Sequence, residues 1–179
     1  MSAPAYMLSL LGRQRQLLGA RFSTRYPSNW LVWEPGAWRP ARSPSTSNVE
    51  STQLPTPVPA ARPVSEDALC FELKRLEASL TVGRSTENQI VVNDLTVSRE
   101  QLFLEFAQQH WRLRSIGPVT VDGQPVGLNG ALLKNEAVVG IGDVRMTFYE
   151  PEGFLRRLEM ESQKSSSPQA PGGPAVAVR

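Results

Sequence analysis

Residues 80–106 read LTVGRSTENQIVVNDLTVSREQLFLEF. The stretch holds two short apolar runs, Leu80–Val82 and Ile90–Val92, and then an alternating series, Leu102, Leu104 and Phe106. Alternation at a period of two marks a strand with one buried face. Polar turns separate the runs: Ser85-Thr86-Glu87-Asn88 in the first, and Asp94 followed by Val97-Ser98-Arg99 in the second. Arg84, Ser98 and Arg99 therefore sit at strand ends that can face the same way. A fixed guanidinium, a hydroxyl donor and a second cation suit a phosphate.

The same period extends outward. Leu69, Phe71 and Leu73 precede the stretch; Trp111 and Leu113, Val119 and Val121, Val138 to Ile141, and Val144, Met146 and Phe148 follow it. About nine short strands are predicted, with no helical pattern between them. Asp122-Gly123 reads as a hairpin turn, because both residues tolerate positive φ. Gly117-Pro118, Asn129-Gly130 and Gly142-Asp143 mark further turns. The fold class is all-β, a sandwich whose alternating residues make one core.

The flanks have a different grammar. Residues 5–19 carry Met7, Leu10, Leu11, Leu17 and Leu18 at helical spacing, with Gly19 as a stop. Residues 26–39 hold Tyr26, Trp30, Trp33 and Trp38 and read as an ordered segment packed on the body, with a short strand at Trp30–Trp33. Residues 40–65 are a linker of Pro, Ser, Thr and Ala, extended rather than coiled. Phe154, Leu155 and Leu158 predict a short C-terminal helix over 151–163, with Arg156, Arg157 and Glu159 outward. Residues 164–179 read as a disordered tail. The expected units are thus 1–39, 40–65, 66–150, 151–163 and 164–179.

Charge is divided unevenly over the 179 residues. Residues 1–65 hold seven Arg and two Glu, whereas residues 66–150 hold eight basic and twelve acidic residues. The net charge of +2 hides a mildly acidic strand-rich region, which argues against nucleic acid as a partner. Cys70 is the single cysteine and His110 the single histidine, so no intrachain disulfide and no His/Cys zinc site is expected. No cofactor and no membrane insertion are expected, and the chain reads as cytoplasmic.

The order and spacing of Gly83-Arg84-Ser85, Asn88, Ile90, Asp94, Val97-Ser98-Arg99, Val121-Asp122-Gly123 and Ile141-Gly142 resemble a forkhead-associated (FHA) domain over about seventy residues. The Trp33-Glu34-Pro35-Gly36 segment and the Gly153-Phe154-Leu155 ending look similar to small stand-alone bacterial proteins of that family. The resemblance implies an FHA-like (SMAD/FHA type) β-sandwich that binds a phosphothreonine-containing protein or peptide. It implies that Arg84, Ser98 and Arg99 contact the phosphate, and that Ser85, Asn88, Asp94 and Gln101 support the loops. Three departures stand out. Gln101 replaces the family's loop-buttressing histidine. Ile116 and Gly117 replace a Thr or Ser followed by the Asn that holds the ligand backbone. Asn135-Glu136 replaces a Gly-Asp turn.

The functional expectation is a phosphothreonine-dependent adaptor in Ser/Thr kinase signalling. The alternative is a divergent scaffold for phosphate-independent protein contact or self-association, motivated by Ile116 and Gly117. An enzyme is not expected: the sequence shows no nucleophile–base pair, no paired carboxylates in a recognisable context and no phosphate-cradling glycine loop before a helix.

Overall fold

A computed structural model describes residues 3–36, 67–75 and 79–166, with side chains described to residue 163. The expected linker and most of the expected tail lie outside these residues. The chain begins with strand β1 (Ala5–Met7), helix α1 (Leu8–Leu18) and a short helix α2 (Arg21–Arg25), then strand β2 (Asn29–Trp33). After the linker come β3 (Leu69–Leu73), β4 (Leu80–Gly83), β5 (Ile90–Val91), β6 (Leu102–Ala107) and β7 (His110–Ser115). β8 (Thr120–Val121), β9 (Gln124–Pro125), β10 (Ala131–Leu132), β11 (Val138–Ile141), β12 (Val144–Tyr149) and helix α3 (Pro151–Ser166) complete it.

Two sheets face each other. One has the order β1-β3-β2-β12-β11-β8-β9, the other β10-β7-β6-β4-β5. All pairings are antiparallel except β4 with β5. The inward residues are the alternating ones: Val82, Leu102, Leu104, Trp111, Leu113, Val139, Ile141, Met146 and Phe148 belong to one buried cluster. The turns have the chemistry their residues allow. Asp122 and Gly123 both have positive φ, as a two-residue hairpin of matching twist requires.

β2 corrects the expected division of the chain. The segment was expected to pack on the sandwich as part of a separate unit. It instead lies inside the seven-stranded sheet, paired to β3 on one side and β12 on the other. All five of its residues are buried. Leu31 and Trp33 enter the core between the sheets, while Trp30 and Val32 enter a second core under the helices. A strand covered on both faces is apolar on both, which is why Trp30–Trp33 does not alternate. Trp30 stacks on Phe154 of α3 at 4.5 Å between ring centroids.

The helical layer also departs from expectation. α1 begins at Leu8, because residues 5–7 pair with β3. Its buried face is Leu8 and Leu11, whereas Met7, Leu10 and Leu17 are exposed. α3 lies along α1 and joins it through an Arg15–Glu159 ion pair. Arg157 is not outward. It is drawn in beside the buried Glu34 at 3.4 Å and bonded to Glu161 at 2.9 Å. Glu34 also accepts from the Thr147 hydroxyl at 3.2 Å, so one carboxylate ties the end of β2 to β12 and α3. Among the described residues no helix is long and apolar enough to cross a membrane.

Candidate functional site

The end of β4, the β4–β5 loop and the β5–β6 loop form the site. β4 closes with Gly83, and the chain there has no room for a side chain. A Cβ on Gly83 would stand inside contact distance of the Arg99 carbonyl and 2.9 Å from Cα of Glu100. That close approach lets two backbone rungs form: Arg84 N–H donates to the Ser98 carbonyl at 2.8 Å, and Ser85 N–H donates to the Arg99 carbonyl at 3.0 Å. The rungs place residues 84–85 directly beside residues 98–99. Arg84 adds a side-chain bond, Nε to the Val97 carbonyl at 3.2 Å, which fixes the guanidinium against the loop.

Each flanking polar residue has a positional task. Asn88 is buried, and its amide donates to the carbonyls of Ser85 at 2.9 Å and Arg99 at 2.6 Å. The first loop is thereby bound to the second. Asp94 is buried too, and one carboxylate oxygen accepts from the backbone N–H and the hydroxyl of Thr96 at 2.9 and 2.6 Å. This is the local side-chain-to-backbone turn that Asp favours. Thr96 is a residue that reading the sequence missed. Its hydroxyl accepts from the Asp143 N–H at 2.8 Å, tying the β11–β12 turn to the loop. The Asp-x-Thr spacing was the available signal.

Gln101 joins the site to a third loop. Its Oε1 accepts from the Ser98 N–H at 2.8 Å, and its Nε2 donates to the Pro118 carbonyl at 2.8 Å. The side chain is buried, and both ends of its amide are committed. Gly117 lies against it. A Cβ there would stand 2.8 Å from Nε2 of Gln101 and 3.2 Å from the Ser98 hydroxyl oxygen. The two departures noted in the sequence are thus neighbours: the glycine leaves the space that the glutamine amide fills.

The outward groups are Ser98 and Arg99, both exposed, and Arg84, half-buried. Among the described residues neither Arg84 nor Arg99 has a carboxylate within ion-pair distance. Glu87 and Glu100, the nearest acids in sequence, do not neutralise them. The arrangement therefore offers two cations and a hydroxyl on loops whose backbone is already bonded. A separate groove of about 680 Å³ lies at the far end of the sandwich, lined by Tyr6, Arg25, Tyr26 and Lys74 among others. It belongs to the end where Leu73 pairs with Asn29, away from Gly83. Among the described residues no cluster of His, Cys, Asp or Glu could hold a metal ion.

Residues 68–152 match the family model described as "Inner membrane component of T3SS, cytoplasmic domain", which is of FHA type. No curated protein is a significant match to the chain. Among solved structures, the chain is similar to an FHA domain studied for its phosphothreonine-dependent interactions. That match has 19% identity over 68% of this chain and 95% of the other, with a TM-score of 0.45. It is similar to the FHA domain of CT664 from Chlamydia trachomatis, with 16% identity, 68% and 97% coverage and a TM-score of 0.44. It is also similar to the FhaA FHA domain complexed with the intracellular domain of Rv3910, with 26% identity, 44% and 86% coverage and a TM-score of 0.40.

Proposed function

With residues 68–152 a forkhead-associated domain, we propose that the chain is a phosphothreonine-reading module that acts as an adaptor in Ser/Thr kinase signalling. Arg84, Ser98 and Arg99 are its phosphate contacts. Ser85, Asn88, Asp94 and Gln101 hold the loops that carry them. One observation carries the reading: two arginines free of any carboxylate among the described residues flank an exposed serine on a backbone already tied by two rungs. A phosphothreonine brings nearly two negative charges and three acceptor oxygens to such a place. Loops bonded before the ligand arrives lose little freedom on binding. The chemistry is capture, not turnover.

The test is calorimetric titration of the full chain with a phosphothreonine peptide library and the same peptides without phosphate. Binding is expected for the phosphorylated set alone. A charge-assisted contact contributes roughly 1.5–3 kcal/mol, so Arg84→Ala should weaken binding by about ten- to a hundredfold. Affinity that ignores the phosphate, or that Arg84→Ala leaves unchanged, would refute the reading.

A second reading is phosphate-independent protein contact. Ile116, 50% exposed next to a glycine, favours it, since that loop offers a partner an apolar side chain and no polar one at 116–117. Partners captured by the chain and retained after phosphatase treatment would support it; partners lost on treatment would count against it.

A further inference from the structure

We infer that Ile116 is a specificity residue of the proposed phosphate-reading site and selects phosphothreonine peptides with an aliphatic side chain close to the phosphothreonine. This inference rests on the reading above and names what that same site prefers.

Ile116 is clamped beside the site. Its N–H and that of Gly117 both donate to the Gln101 carbonyl, at 2.9 and 3.1 Å. A Cβ on Gly117 would be 3.2 Å from the Ser98 hydroxyl oxygen. Consecutive Cα atoms are 3.8 Å apart, so Cα of Ile116 lies within roughly 8.5 Å of that hydroxyl. An extended peptide advances about 3.3–3.6 Å per residue. A residue one to three positions from a phosphothreonine seated on Ser98, on the flank that runs toward Ile116, is therefore within reach of that side chain.

The polar groups at positions 101 and 117 are already used or missing. The Gln101 amide is committed at both ends, to Ser98 and to Pro118. Gly117 has no side chain, and one placed there would run into that amide. What positions 116 and 117 present outward is an aliphatic group at half exposure. Contact with it is non-directional and follows the apolar area it covers. Discrimination at the flank then depends on hydrophobicity rather than on a side-chain hydrogen bond to the ligand's main chain.

The experiment compares phosphothreonine peptides that differ only in the residues flanking the phosphothreonine, aliphatic in one set and Ser or Gln in the other. Fluorescence anisotropy is read for the unaltered chain, Ile116→Ser, Ile116→Val and Arg84→Ala. One apolar group in an enclosed pocket discriminates roughly 10–200-fold, and a half-exposed contact belongs at the low end, so about tenfold is expected for the unaltered chain. Ile116→Ser should erase that preference while keeping phosphate-dependent affinity for the polar set, and Ile116→Val should retain most of it. Equal affinity for both sets in the unaltered chain, or a preference that survives Ile116→Ser, would overturn the inference and leave the phosphate reading intact. Absence of phosphate-dependent binding to every peptide would overturn both.

Discussion

The amide of Gln101 accepts from one loop through Oε1 and donates to another through Nε2, and Gly117 supplies the room for it. From the sequence, Gln101 and Gly117 read as two separate departures, a glutamine in place of a histidine and a glycine in place of an asparagine. The structure makes them one arrangement. A glycine in a sequence does not say what occupies the space it leaves; that needs the neighbour's amide in place. The coupling is measurable. Gln101→Ala leaves a buried N–H and carbonyl without partners, at a cost of about 1–3 kcal/mol. Gly117→Ala crowds the amide and should cost about as much by overpacking. In the double variant the crowding partner is gone, so the two losses should fall short of adding by at least 0.5 kcal/mol in urea denaturation. Strict additivity would mean that the two positions act independently. That Arg84 lies beside Ser98 and Arg99 was legible for the opposite reason. Arg84, Ser98 and Arg99 are close to one another in sequence, and their types state their chemistry directly.

At the scale of elements, the strands after residue 67 were legible because a half-buried strand writes its period into the sequence. Trp111 and Leu113 alternate with His110, Arg112 and Arg114, and the structure buries both. β2 was legible as a short strand but not as a member of the sheet. Its NWLVW has no alternation, because Trp30 and Val32 face helices while Leu31 and Trp33 face strands. Nothing local tells such a run where it pairs. α1 misled differently: Leu10, Leu11 and Leu17 look like core residues at helical spacing, yet of these only Leu11 is covered, together with Leu8. The sheet assignment has a consequence. If β2 bonds to both β3 and β12, cutting the chain between residues 37 and 66 should not separate its parts. A protease site introduced there and cleaved should leave both fragments in one peak on native size exclusion, parting only in denaturant. Fragments that separate in native buffer would contradict the pairing.

For the molecule as a whole, β2 belongs to both cores at once, so the helical layer and the sandwich should open together. Cys70 reports on this. It lies fully buried in the helical core, and burial pushes its thiol well above the usual range. Burial disfavours the thiolate in the folded state alone. This contribution to stability is therefore complete below the unfolded thiol's value, near 8.5, and is lost as pH rises through the higher folded value. At pH 7.5 a maleimide should not label Cys70 in the native protein, and on heating, labelling should begin with the sheet's circular-dichroism transition. Labelling well below that transition would show that the helices open alone. The central claim concerns the loops at Arg84 and Ser98, and amide NMR tests it most directly. A phosphothreonine peptide titrated into the ¹⁵N-labelled full chain should give saturable shifts at Arg84, Ser85, Ser98, Arg99 and Gly117, absent with the unphosphorylated peptide. Shifts at those amides that do not depend on phosphate, or phosphate-dependent shifts confined to other residues, would contradict it.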